Sequence, residues 1–275
     1  MNWSGAKNWL IILFVALNIF LVFTLIKSDM QTSVIEKETV LQTIDVLKQN
    51  GITCSEQIIP TKMPKLGSID VQNSVYDPYT FASTLLGEGC ASLSDGQYAL
   101  GTKRLKLIGD TIEYTDLKPQ DNIKNFKAQT AQKYALKWLG EHGFKTDTLL
   151  PHTSELNGSY LVFAQQKIDK YALLDSCLEI TVTPNGITKM SGSWFLPSNG
   201  QNIFSNDAAQ VRSVITVLLD FARDTTRINL ESNEITQIDL GYTTGDKTTY
   251  HKYATAVPIW RIRCADNNEY FFDAR

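Results

Sequence analysis

The chain has 275 residues, 43% apolar and 20% charged, with a net charge of −3 and a pI near 5.7. That balance suits a protein with a buried core, and it excludes a largely disordered chain. The basic residues are scattered rather than clustered, so no nucleic-acid partner is expected.

The compositional departure is at the N-terminus. Trp9 to Ile26 is an uncharged run of 18 residues, interrupted only by Asn18 and Thr24. As a helix it would span about 27 Å, close to the ~30 Å hydrocarbon layer of a bilayer. Its ending, FTLIKSDMQTS, offers neither the small-x-small site of a cleaved signal nor a lipoprotein cysteine. Residues 8–27 therefore read as a retained transmembrane anchor, 1–7 as a cytoplasmic stub, and everything from Ser28 onward as extracytoplasmic. Lys7 and Lys27 flank the run almost evenly, so the orientation rests mainly on a short tail preceding a large domain. Asn18 has two readings. It is tolerated through backbone partners, or it hydrogen-bonds a partner helix, flanked by Phe14, Leu21, Val22 and Leu25 at helical spacing.

The region 28–120 opens with SVIEKETVLQTIDVLKQNGI. Ser33 with Glu36 predicts a capping box, Val40, Leu41, Ile44 and Leu47 repeat at helical spacing, and Gly51 supplies the stop. A helix over 33–50 is expected. Pro60 and Pro64 then break regular structure, and Gly109-Asp110 lies between two strand-like runs as a hairpin turn.

A first helix-plus-sheet module is expected over 121–198. Phe126, Ala131, Tyr134, Ala135, Trp138 and Leu139 line one face of a helix ending at Gly143. SYLVFAQQ reads as a strand, and in CLEITVT the apolar Leu178, Ile180 and Val182 alternate with polar residues. Asn185-Gly186 marks a tight turn. The segment LPSNGQN, 196–202, reads as a linker. A second module, 199–275, begins with a helix capped by Ser205 or Asp207 and carrying Val211, Val214, Ile215, Leu218, Leu219 and Ala222. Strand-like EITQIDLGYTT, VPIWRIRC and EYFFDA follow, the last two joined by Asp266-Asn267-Asn268. Strands joined by short turns argue α+β rather than α/β. The expected fold is thus α+β, with a single N-terminal transmembrane helix ahead of repeated helix-plus-antiparallel-sheet modules.

Catalytic signatures are missing. There is no G-x-S-x-G, phosphate-binding loop, H-E-x-x-H or EF-hand loop. His142, His152 and His251 have no partner at ligand spacing, and Cys54, Cys90, Cys177 and Cys264 fit no metal pattern. The cysteines are expected as buried thiols in preference to disulfides. His142 reads as a solvated helix end whose partial positive charge the helix dipole favours. Asp175 and Glu179 are expected on a solvent-facing strand surface rather than in acid–base catalysis. Trp194, Phe195, Trp260, Tyr270, Phe271 and Phe272 read as sheet core rather than a groove. No catalytic, cofactor-binding or metal residue is assigned, and no enzyme is expected.

Three places together resemble the YycI family: the start MNWSGAK running directly into the anchor, LKQNGI…IIPTKMPKL at 47–66, and AVPIWRIRC…EYFFDA at 256–274. The resemblance spans nearly the whole chain. It implies a single-pass protein of the cell membrane that regulates the WalK–WalR cell-wall two-component system of low-GC Gram-positive bacteria. The partners it implies are a WalK-type sensor histidine kinase and the related YycH protein, contacted through membrane helices as well as outside. It carries over no catalytic residue and no cofactor. Self-association of the chain stays open. The helix-then-hairpin order is also similar to PepSY-type domains, which gives an alternative: an anchored binding module for peptides or cell-wall fragments.

Overall fold

The computed structural model describes residues 7, 11, 13–22, 33–146, 149–197, 208–224, 233–245 and 252–275. In chain order, helix α1 (13–22) comes first, then β1 (Ser33–Val34), α2 (Lys37–Gln49) and β2 (Thr53–Cys54). Next are β3 (Lys62–Met63), β4 (Lys65–Leu66), β5 (Ile69–Asn73) and α3 (Pro78–Leu86). The strands β6 (Ala91–Ser94), β7 (Gln97–Leu100), β8 (Lys103–Ile108) and β9 (Thr111–Asp116) lead to α4 (Ala128–Glu141). They are followed by β10 (Leu149–Leu156), β11 (Ser159–Ile168), β12 (Tyr171–Thr183), β13 (Gly186–Gly192) and β14 (Phe195–Pro197). The chain closes with β15 (Ala209–Gln210), α5 (Val214–Arg223), β16 (Glu234–Thr243), β17 (Tyr253–Cys264) and β18 (Glu269–Asp273).

The protein is mixed α+β, built on one large sheet of fourteen described strands. The main path runs β14-β5-β17-β16-β12-β13-β9-β8-β7-β6, with β10–β11 attached to β12, β18 to β17 and β2 to β16. Neighbours pair antiparallel except β12 with β16 and β16 with β2. The thirteen-residue β12 holds the two halves together: Leu173 pairs with Tyr242 near one end, while Leu178 to Thr183 pair with β13 near the other.

Two apolar clusters cover this sheet. The first collects Val40, Ile44 and Leu47 of α2 with Val214, Leu218 and Phe221 of α5 and Trp260 of β17. The second collects Ala82 and Leu85 of α3 and Ala131, Ala135 and Leu139 of α4 over Ile112, Val162, Ile180 and Val182. Helix α2 thus shares its core with the C-terminal strands rather than with the hairpins that follow it in sequence.

Local details correct several expectations. Ser33 is not a cap. It pairs with Met63 in β1–β3, and Ile35 N–H donates to Thr61 O at 2.8 Å. This pairing keeps the chain extended up to Glu36, so α2 starts at Lys37 without a side-chain cap. Leu41 is exposed, while Val40, Ile44 and Leu47 are buried as expected, and Gly51 turns the chain out at φ +74°. The hairpins at Gly109-Asp110 and Asn185-Gly186 form, as does the turn through Asp266, Asn267 and Asn268. The second-module helix starts at Val214, where Ser213 Oγ accepts from Ile215 N–H at 3.3 Å. Val211 precedes this helix, tied to Pro64 O at 3.0 Å. Ser205 and Asp207 lie outside the described residues. Part of the expected linker is a strand, since Phe195 pairs with Asn73 and Leu196 with Gln72.

Candidate functional site

The first candidate surface is α1. Its apolar side chains point away from the rest of the described structure on every side: Phe14, Leu17, Phe20, Leu21 and Val22 are each 48–66% exposed. Asn18 Nδ2 donates to Phe14 O at 2.7 Å, so the polar side chain finds a partner in its own helix. Phe14, Asn18, Leu21 and Val22 lie on α1 as the spacing requires; Leu25 lies outside the described residues. Among the described residues no helix is long and apolar enough to cross a membrane, and the run 8–27 extends beyond them.

Most other singled-out residues prove structural. Asp175 Oδ2 accepts from Thr244 N–H at 2.6 Å and from the hydroxyls of Thr244 and Thr243, which ties β12 to the end of β16. Glu179 is exposed on β12. Trp194, Phe195 and Trp260 are buried, and Tyr270 and Phe272 pack around Phe221 with ring centroids 5.1 and 6.2 Å away. Phe271 is largely exposed, since alternation along β18 turns it to solvent. Cys54 and Cys264 both flank Ile235, one from each neighbouring strand. Two strand spacings, about 9–10 Å, separate them, which is beyond disulfide reach. Burial pushes both thiols up to about 11. Among the described residues no group of three or more His, Cys, Asp or Glu side chains is arranged to hold a metal ion.

His142 departs from expectation. It does sit at the α4 C-terminus, but it is half-buried and stacked on Trp138 at 4.0 Å. Burial, the largest cause, holds its pKa below the ordinary value and favours the neutral ring, against the partial positive charge expected at a solvated helix end. Its Nδ1 lies 2.7 Å from Trp138 O. A carbonyl only accepts, so in the neutral ring Nδ1 carries the proton and Nε2 keeps its lone pair.

The second candidate is a cleft that sequence reasoning missed. Its floor joins the end of β5 to the start of β14: Ser74 N–H donates to Trp194 O at 3.1 Å. The cleft, about 130 Å³, is also lined by Tyr76, Asp77, Phe81, His142, Phe144 and Leu196. Trp194 and Leu196 also line a more apolar cavity of about 90 Å³, with Ile69, Val71, Phe195 and the stretch 166–169. Asp77 caps α3, accepting from Thr80 N–H at 3.2 Å and Thr80 Oγ1 at 2.8 Å, and these bonds lower its pKa. Trp194 Nε1 and Ser74 Oγ are buried and have no hydrogen-bond partner among the described residues. Each such orphan ordinarily costs about 1–3 kcal/mol. The signal for α3 was legible: Asp77-Pro78 is a cap followed by a first-turn proline, and Gly87 closes the helix.

Together these features define a mixed α+β protein with a large, mainly antiparallel sheet, an apolar N-terminal helix and a small aromatic-walled cleft. The sequence profile of the family described as YycI protein matches residues 30–275, and the chain belongs to the YycI family. This is a family of regulatory proteins rather than enzymes, and membership is consistent with a regulatory role in the WalK system. Among solved structures, an uncharacterized protein from Eubacterium rectale ATCC 33656 aligns with 12% identity and a TM-score of 0.49, covering 78% of this chain and 85% of that one. The YpeB C-terminal domain of Bacillus megaterium aligns with 11% identity and a TM-score of 0.33, covering 74% and 94%. No curated protein matches the sequence.

Proposed function

We propose that the chain is a non-enzymatic, membrane-anchored regulator of a WalK-type sensor histidine kinase, acting with a YycH-like protein through transmembrane and extracytoplasmic contacts. Family membership across residues 30–275 carries this reading. In it, 1–7 is the cytoplasmic stub, 8–27 the single membrane span, 28–120 the juxtamembrane region, and 121–198 and 199–275 two helix-plus-sheet units outside the cell. A helix that is apolar but for Asn18 and left uncovered by the other described residues fits a lipid environment. Between the span and the core lie few residues, and α2 buries its apolar face against the C-terminal half. A shift of the ectodomain would therefore be passed to the span through α2, and a partner that prefers one arrangement would bias the kinase. Phe14, Asn18, Leu21, Val22 and Leu25 are the proposed helix contact. Asn18 spends one amide hydrogen on Phe14 and retains further hydrogen-bonding capacity for a neighbour. Interhelical bonds of this kind contribute about 0.6–2 kcal/mol.

Co-purification from membranes in mild detergent tests this. The kinase is expected to accompany the full chain and to be depleted with Asn18→Leu. A preparation that never contains the kinase overturns the reading, and an undiminished yield with Asn18→Leu removes Asn18 from the contact. The alternative, an anchored binding module, is favoured by one observation: the polar atoms of the Trp194 cleft that have no partner among the described residues.

A further inference from the structure

The Trp194 cleft has the complementarity of a small amide site. Trp194 is 2% exposed, and its indole N–H and the Ser74 hydroxyl lack partners among the described residues. The Ser74–Trp194 backbone bond brings these two residues together at the cleft. They supply two donors that call for an acceptor. His142, on the same cleft wall, offers the opposite polarity through Nε2, because Nδ1–H is committed to Trp138 O. The apolar wall is aromatic: Phe144 meets Trp194 edge-on at 5.6 Å, and Phe81 meets Phe144 edge-on at 6.2 Å. Asp77 on the rim is offset by Lys252, whose Nζ lies 5.2 Å over the Tyr76 ring, so the rim favours neither an anion nor a cation.

A neutral group with one acceptor, one donor and a small apolar end satisfies all of these. We propose that this cleft binds a pendant acetamido group, the N-acyl substituent of an amino sugar. Its carbonyl oxygen accepts from Trp194 Nε1–H and Ser74 Oγ–H, its N–H donates to His142 Nε2, and its methyl packs on Phe81 and Phe144. Size points to a pendant group over a run of peptide. About 130 Å³ is comparable to a cavity that holds a single benzene ring. Tyr79 at the start of α3 is 56% exposed and offers a flat ring outside the cleft to a saccharide, whereas the Tyr76 ring carries Lys252 Nζ at 5.2 Å. The assignment does not depend on the kinase contact, so either can fail without the other.

The test uses the full chain in lipid nanodiscs with its tryptophan indoles labelled with nitrogen-15. Trp194→Phe identifies the Trp194 resonance among the five tryptophans. Titration with N,N′-diacetylchitobiose is expected to shift that resonance to saturation, while the de-N-acetylated disaccharide leaves it in place. Ser74→Ala, with the other four indole signals unchanged as a check on folding, is expected to weaken binding about tenfold. No shift, or equal shifts from both sugars, overturns the proposal. A response to a blocked alanine dipeptide with none to the disaccharide overturns it in favour of a peptide backbone.

Discussion

Replacing Leu47 with alanine tests whether α2 belongs to the core it shares with α5. Leu47 is fully buried, and its neighbours on the same helix face are Val40 and Ile44. Leu→Ala removes three carbon groups, a transfer loss of about 2.4 kcal/mol at ~0.8 per group. A residual cavity on the order of 80 Å³ adds up to ~2 kcal/mol if the site does not collapse. The expected loss is therefore about 2.5–4.5 kcal/mol. For a folded region of this size each kcal/mol moves Tm by about 2–4 °C, so a drop of roughly 5–18 °C should appear in near-ultraviolet circular dichroism melts. Leu41 is the internal control: same helix, 44% exposed, and an expected shift of about 2 °C or less on truncation. If Leu47→Ala melts within 2 °C of wild type, or no lower than Leu41→Ala, α2 does not pack as described. The proposed link between membrane span and ectodomain then loses its physical basis.

Three further outcomes follow from particular residues. Gly192→Ala should destabilise by on the order of 3 kcal/mol, because φ is +138° and an added Cβ would lie 1.9 Å from Cys177 O; an unchanged urea midpoint would refute the strained approach of β13 to β12. His142 has a folded-state pKa below its ordinary 6.5, so the unfolded chain takes up its proton first. Its contribution is intact above about 6.5 and is lost as pH falls toward the folded value, so the urea midpoint should fall between pH 7.5 and pH 5.5, less steeply in His142→Asn; identical slopes would contradict this. Cys54 and Cys264, with pKa values pushed up to about 11, hold only about one thiolate in ten thousand at pH 7. Iodoacetamide should label them slowly in the native protein and quickly after unfolding, and equal rates would show that the sites are open.

Local chemistry made much of the fold legible. Val40, Ile44 and Leu47, the CLEITVT alternation and the Gly109-Asp110 and Asn185-Gly186 turns each act within a few residues, and each appears where its pattern requires. What stayed hidden was non-local. Nothing near Ser33 announces that it pairs with Met63, and that pairing overrides a plausible cap. Nothing in α2 states that its buried face meets α5 more than 150 residues later. The Trp194 cleft was illegible for the same reason: Ser74, His142 and Trp194 lie on three separated segments, and the first meets the last through a backbone bond beside the β5–β14 pairing. Trp194 was read correctly as buried, but burial alone gives no hint that its indole N–H is left over.

Regulation of a kinase through an anchored ectodomain would register in the autophosphorylation of a WalK-type kinase in proteoliposomes, alone and co-reconstituted with the full chain. A changed rate is expected with the full chain, and a smaller change with Asn18→Leu. The same rate with and without the full chain would contradict it.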